Sequence, residues 1–373
     1  MGNQKATINK WLSHKLDPEI ERRLQRMAAA KDISEVAVMP DVHIAGDVCN
    51  GTVVATTSRI YPQTVGGDIG CGYLAVALHS ELDFVDERLA ALILDGLYQT
   101  VPLNKHASKR ELKFSTKLSS SALLKASLRE GSVQLGTLGR GNHFVELQRD
   151  VGGTFWLLIH SGSRAMGQLI SSFHSRHASV DSASGLKYVD VDSKAGQDLI
   201  GDFEWTRKYA ATNRESMLDQ IRVGVLEPLG FRIDSESMIH LDHNHVQLET
   251  HDDEWLWVHR KGAQRLLPGQ TSVIPGSMGT ASHLVQGRGN RASLNSCSHG
   301  AGRKFSRAEA RRRLSPSELV REMKDVWFDQ RQLSRLVDES PSAYKDIRKV
   351  MKYQKDLVKI VNTLEPILNF KGR

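Results

Sequence analysis

The stretch GGDIGCGYLAVALHS, Gly66 to Ser80, passes from glycine-rich to apolar within a few residues. Its GCGYLA segment satisfies the loose glycine spacing of a dinucleotide-binding turn, but that turn needs a strand before it and a helix after it. Tyr73 to Ser80 instead reads as a short apolar strand. The same objection removes GRGNRA at Gly287, and the chain contains neither a GxxxxGK[ST] phosphate loop nor an HExxH zinc helix. A doubly wound nucleotide fold is therefore set aside.

Working outward, Val36 to about Leu78 alternates short β-type runs, such as EVAVM and TVVATT, with glycine-rich turns. Upstream, Asp17 is placed to cap a helix with Pro18 in its first turn and Ile20, Leu24 and Met27 at helical spacing. Downstream, GTFWLLIHSGS reads as a buried strand ending at His160, and SMIHLDHNH as an alternating strand ending near His243. Residues 105–129 carry Lys105, Lys109, Arg110, Lys113, Lys117, Lys125 and Arg129 against the single acid Glu111, and read as a basic helix, either a solvated face or a phosphate-contacting patch. Tyr344, Ile347, Met351, Val358 and Val361 read as one helical face packed on the core. Together these predict an α+β chain, a single large mixed-sheet domain with flanking helices over residues 1–373, whose weakest point of continuity is 175–195.

Hydrophobic residues at 40% and charged residues at 25% are ordinary globular composition among the 373 residues. Lysine and arginine outnumber acids 50 to 43, a formal charge of +7 that suits a polyanionic partner. No apolar leader opens the chain and no stretch reaches the length of a membrane span, so a soluble cytoplasmic protein without a membrane partner is expected. The cysteines Cys49, Cys71 and Cys297 are too scattered for a disulfide framework or a zinc knuckle, and reduced thiols follow.

Potential metal ligands recur in glycine-rich loops and at strand exits: Asp68 and Cys71 in GGDIGCG, His143 in GRGNHFVE, His160 in LLIHSGS and His243 in DHNH. A lone histidine is usually structural, but a carboxylate, a thiolate and several imidazoles together make a donor set of mixed hardness that transition metals accept. PGSMGTASH, Pro275 to His283, and SCSHGAGRK, Ser296 to Lys304, offer the small residues, hydroxyls and amides of an anion cradle. In the second, Arg303 is near enough to His299 to pair with phosphate.

The ordered motifs MPDVH at Met39, VGGDIGCG at Val65, GNHFVEL at Gly141, HSGSR at His160, YAATNR at Tyr209, HNHVQLETH at His243, VHRKGA at Val258, IPGSMGT at Ile274, SCSHGAGR at Ser296, AYKDI at Ala343 and KG at Lys371 resemble the RtcB RNA ligases. The resemblance runs from about residue 36 to the C-terminus. It implies the RtcB-type fold and a GTP-dependent ligase with two manganese ions, Mn2+. Such an enzyme joins RNA 3′-phosphate or 2′,3′-cyclic phosphate ends to 5′-hydroxyl ends. It further implies Asp68, Cys71, His143, His160 and His243 as metal ligands, with Cys71 bridging, and His299 as the nucleophile toward the α-phosphorus of GTP. For the guanylate it implies Asn142, His143, Phe144, Val145, Glu146, His243 and Asn244; Pro275, Gly276, Ser277, Met278 and Ser282; His299, Gly300, Ala301 and Gly302; and Tyr344 and Lys371. Departures from the family pattern are Gly67 before DIGCG, Arg140 within a glycine run, and the loop IAGDVCNGT after His43, which lacks the family's frequent lysine. The form resembles a compact bacterial subgroup acting in RNA repair. Two rival readings use the same residues: a metal-dependent RNA-end phosphatase or cyclic phosphodiesterase, and a noncatalytic RNA-binding protein with structural metals.

Overall fold

A computed structural model describes residues 6–12, 15–112 and 117–372. The first helix is Pro18–Ala28, where the Asp17 carboxylate accepts from the Glu19 amide at 2.8 Å. It buries Leu24 and Met27 against Val36 and Val54 of a five-stranded sheet. That sheet runs in the order Thr7–Lys10, Glu35–Ala45, Val48–Thr56, Glu254–Lys261, Asn244–His251. A larger sheet runs Arg232–Asp242, Gly72–His79, Phe155–Ser161, Phe144–Asp150, Val358–Lys371, Ser282–Gly287, Thr271–Ile274, all antiparallel, with Trp327–Phe328 added in parallel beside Val358–Lys371. The expected α+β class with a mixed sheet is the one observed.

Gly72–His79 shows why its sequence is apolar without alternation: it is covered on both faces. Leu74, Val76 and Leu78 pack under the helices Glu87–Thr100 and Lys194–Ile221, meeting Ile93, Leu97 and Ile221. Tyr73, Ala75 and Ala77 face inward, where the sheet curls until Ile239 and Val273, from its two edge strands, share one buried cluster with them. Each aliphatic side chain so removed from water contributes about 2 kcal/mol.

Because neighbouring strands are antiparallel, the beginning of one lies beside the end of the next. Gly72 pairs with Ser161 and Asp242, His160 with Phe144, and Phe144 with Lys371. Cys71, His143, His160, His243 and Lys371 are therefore delivered to one end of one sheet from remote parts of the chain. Gly72 is where this end closes most tightly: a Cβ there would lie 2.2 Å from the Leu241 carbonyl oxygen and 2.5 Å from the Asp242 Cα.

Two sequence expectations are corrected. The apolar positions from Tyr344 to Val361 do not share a helix: Ile347–Lys352 is helical, but Val358–Lys371 is a strand, with Val358 buried and Val361 49% exposed. Its first half, Val358 to Leu364, pairs with Ser282–Gly287 and its second half, Leu364 to Lys371, with Phe144–Asp150, and Pro366 is accommodated at a register irregularity where a ladder amide is not required. The basic stretch 105–129 is helical only from Ser121. Its earlier part lies along residues 132–138, with the amides of His106 and Arg110 donating to the carbonyls of Val133 and Ser132, so its backbone is satisfied without a helix. Lys113 lies outside the described residues. At 175–195, Lys187–Asp190 pairs with Arg59–Ile60, which ties this segment to an early part of the chain. Among the described residues, no helix is long and apolar enough to cross a membrane.

Gly72→Ala is expected to cost about 2 kcal/mol of unfolding free energy, the usual penalty for forcing a methyl into packed structure. Urea denaturation checks this. An unchanged midpoint would show that the strand ends separate freely.

Candidate active site

Cys71 is the hub of the delivered end. Its Sγ lies 3.3 Å from His160 Nε2 and 3.5 Å from His143 Nε2. His160 Nε2 is 3.1 Å from His243 Nε2, and His143 Nε2 is 3.0 Å from Asp68 Oδ2. Two donor groups, Asp68–Cys71–His143 and Cys71–His160–His243, thus share the thiol. Each imidazole is oriented through its other nitrogen: Nδ1 of His143 donates to the Leu138 carbonyl at 2.9 Å, that of His160 to the Asn142 carbonyl at 3.1 Å, and that of His243 to Asn244 Oδ1 at 3.2 Å. For His160 and His243 this fixes the tautomers and turns the Nε2 lone pairs toward one another.

Two lone pairs 3.1 Å apart repel unless something positive lies between them. A proton is disfavoured, since burial, reinforced by neighbouring imidazoles, holds His160 well below its usual range, and burial beside His299 holds His243 down to about 3. A divalent cation satisfies both nitrogens, and the donor separations are roughly those of ligands sharing one ion. Burial, then the Asp68 carboxylate, pushes the Cys71 thiol well above its ordinary value, so in the absence of a cation it keeps its proton. Burial would also favour protonated Asp68, but hydrogen bonds from His143 and Ser163 outweigh it and hold the carboxylate ionised. The residues present fit a metal pair.

His299 stands beside this cluster, its ring centroid 4.9 Å from that of His243. Its Nδ1 lies 2.6 Å from Oδ2 of Asp41, a carboxylate with no exposure at all. Burial raises the Asp41 pKa, but the His299 interaction overrides it and the group stays ionised. An ionised carboxylate only accepts, so His299 donates through Nδ1 and keeps the Nε2 lone pair for the cleft. Gly302 lets the His299 loop close onto Asp41: its φ is +69°, and a Cβ would lie 2.2 Å from the Asp41 carbonyl oxygen. Sequence reading gave Asp41 no role. The available signal was a lone carboxylate inside the otherwise buried run of Glu35–Ala45.

A cleft of about 1680 Å³ opens from His160 and His299, and Asn142, Phe144, Glu146, Ser277, Met278, Gly300, Ala301, Gly302, Tyr344 and Lys371 also line it. The period-two alternation of Phe144–Asp150 turns Phe144 and Glu146 to the cleft and Val145 into the hydrophobic core. Asn244 instead buttresses the ligand loop, donating to the Asp68 carbonyl at 3.1 Å and accepting from the Gly262 amide at 2.8 Å. Ser282 lies behind Glu146, accepting from Gln148 Nε2 at 2.9 Å. Pro275 and Gly276 form the turn whose carbonyl at Pro275 receives the Ala301 amide at 3.0 Å. Glu146 is bonded by the side-chain amides of Gln148 and Asn369, yet burial raises its pKa to about 7 against the opposing pull of Lys371. Arg303 lines the cleft, and most of its donors are engaged within the protein. It donates to the carbonyls of Phe305 and Asp338, to Glu339 and to the Tyr344 hydroxyl.

A family model described as tRNA-splicing ligase RtcB matches residues 23–129 and 117–372. The chain is 32% identical to a protein of Escherichia coli K12 named RNA-splicing ligase RtcB, covering 99% of this chain and 98% of that one. It is 28% identical to the tRNA-splicing ligase RtcB of Nanoarchaeum equitans, covering 92% and 89%.

Cys71→Ser is expected to weaken metal binding at both donor groups together, because a poorly ionised hydroxyl replaces the shared thiol. Cys49→Ser should leave metal binding unchanged, since Cys49 is buried away from the cluster and burial raises its thiol to about 11. Metal content by elemental mass spectrometry, with circular dichroism as the check on folding, tests both. Parental metal content in Cys71→Ser would remove the thiol from the ligand set.

Proposed function

The chain belongs to the RtcB ligase family, and from that premise we propose that it is a GTP-dependent RNA ligase. It joins RNA 3′-phosphate or 2′,3′-cyclic phosphate ends to 5′-hydroxyl ends, as a cytoplasmic repair enzyme. The observation that carries the reading is His299 held by buried Asp41, its Nε2 free, beside donor groups that share Cys71.

The reaction follows from those parts. His299 Nε2 attacks the α-phosphorus of GTP, the bond to the bridging oxygen breaks, and pyrophosphate leaves. Asp41 stabilises the positive charge that grows on the ring as the new bond forms. The guanylyl group passes to an RNA 3′-phosphate, regenerating His299, and the 5′-hydroxyl then attacks that activated phosphorus with release of GMP. A cyclic end is first hydrolysed to the 3′-phosphate. Asp68, Cys71 and His143 would hold one manganese ion and Cys71, His160 and His243 the other, supplying positive charge that neutralises the phosphates and aligns the leaving group.

Base recognition has matching chemistry. A carboxylate, Glu146, lies near an ammonium, Lys371, on adjacent strands. The first accepts from ring N–H and amino donors, the second donates to a carbonyl, and guanine offers both along one edge. Phe144 also lines the cleft, with the Lys371 ammonium 5.4 Å from its ring centroid.

Incubation with GTP labelled at the α-phosphorus, followed by a denaturing gel, should leave label on the parent and none on His299→Ala. The same variant should fail on 3′-phosphate RNA but seal RNA already carrying a 3′ guanylyl pyrophosphate linkage, which needs no nucleophilic histidine. Label persisting on His299→Ala would move the nucleophile elsewhere. A parent that removes end phosphates without taking label would establish the phosphatase instead.

Acceptance of guanine donors requires ionised Glu146. With its pKa raised to about 7, the group is increasingly protonated below that pH, so GTP affinity should fall about tenfold per pH unit there and level off above it. Calorimetric titration between pH 5.5 and 8.5 measures the profile, and a flat one removes Glu146 from base recognition. The sign for stability is opposite: a raised pKa favours the nucleotide-free fold at low pH and that contribution is lost as pH rises through about 7.

A further inference from the structure

Tyr73, on the strand Gly72–His79 just after Cys71, pairs in register with His160. Its ring packs against two imidazoles, with centroids 4.5 Å from that of His160 and 5.3 Å from that of His243. The side chain is only 3% exposed, yet it lines the cleft. Its phenolic oxygen reaches the loop of His299: a Cβ on Gly300, the next residue, would stand 3.7 Å from it. Tyr73 thus bridges the Cys71–His160–His243 donors and the loop of the nucleophile.

A hydroxyl in packed structure costs free energy unless it is bonded. Tyr61, Tyr98, Tyr209 and Tyr344 obey this, donating to the Lys31 carbonyl, Asp329, the Gly131 carbonyl and Glu339. Among the described residues, the Tyr73 hydroxyl has no such acceptor within the protein and is reached from the cleft instead. Phenylalanine would pack on the imidazoles as well, so the oxygen calls for a ligand. We infer that Tyr73 is a further catalytic residue: its hydroxyl donates to a non-bridging oxygen of the α-phosphate while His299 Nε2 attacks the phosphorus. The inference rests on the GTP reading above. The nitrogen–phosphorus bond forms, the bond to the bridging oxygen breaks and pyrophosphate leaves with the electron pair, while Tyr73 keeps its proton throughout. It supplies a dipole aimed in advance at the equatorial oxygens of the in-line displacement, held in direction by the two imidazoles under its ring.

Tyr73→Phe removes the hydroxyl and keeps the ring, so folding by circular dichroism and manganese content by elemental mass spectrometry should match the parent. The test is single-turnover labelling of the manganese-loaded protein by GTP and by the two stereoisomers in which sulfur replaces one or the other non-bridging α-oxygen. Tyr73→Phe should take label from GTP about tenfold to a hundredfold more slowly than the parent, the worth of a hydrogen bond to a charged acceptor. One sulfur stereoisomer should be slowed by a similar factor. The other should react at the parent's rate, because sulfur, a weak acceptor, already stands where the hydroxyl would donate. Labelling by GTP at the parent's rate, or equal slowing of all three nucleotides, would overturn the inference. Loss of manganese from Tyr73→Phe would also overturn it, making Tyr73 a support of the ligand cluster. A parent that takes no label from GTP would instead overturn the GTP reading, and this inference with it.

Discussion

The mutual repulsion of imidazole lone pairs, held 3.1 Å apart between His160 and His243, is the constraint around which the rest of the structure is arranged. Left alone, the rings would rotate or separate. They do neither because each Nδ1 is already committed to a neighbouring acceptor and each ring is carried by, or adjoins, a strand of one antiparallel sheet. Buried Arg214 reinforces the arrangement, donating at 2.8 Å to both the Gly70 and Ser161 carbonyls, beside Cys71 and His160. The fold thus holds an unfavourable arrangement of donors in readiness for a cation that turns it favourable.

The same alternation that builds the core partitions the site. Odd and even residues of Phe144–Asp150 separate what touches the cleft from what touches the hydrophobic interior. The cleft then has two chemically different ends: the imidazoles and thiol near His299, and Glu146 with Lys371. A ligand with phosphates at one end and a hydrogen-bonding ring at the other spans both.

Much of this was legible in the sequence, for identifiable reasons. The Gly66–Ser80 run announced a strand rather than a helix, and strand exits at His160 and His243 marked where side chains would converge. Motif order carried the family. What was not legible depended on contacts between remote segments. Asp41 and Glu339 look like ordinary acids until folding places them against His299 and Lys371. The strand Val358–Lys371 was misread because its apolar residues fit both helical and extended spacing, and only pairing on both sides decides between them.

The ligands span the chain from Asp68 to His243, and no two neighbours in sequence complete a donor group. An unfolded chain would have to close several long loops at once to present them, at an entropic cost that the separate loops do not recover. Metal uptake therefore has to wait for the strands to register, and a single slip in pairing scatters the donors. In a newly made chain, cation capture becomes a proofreading step: only molecules whose sheet has assembled in full retain the ions, and those are locked by them against reopening.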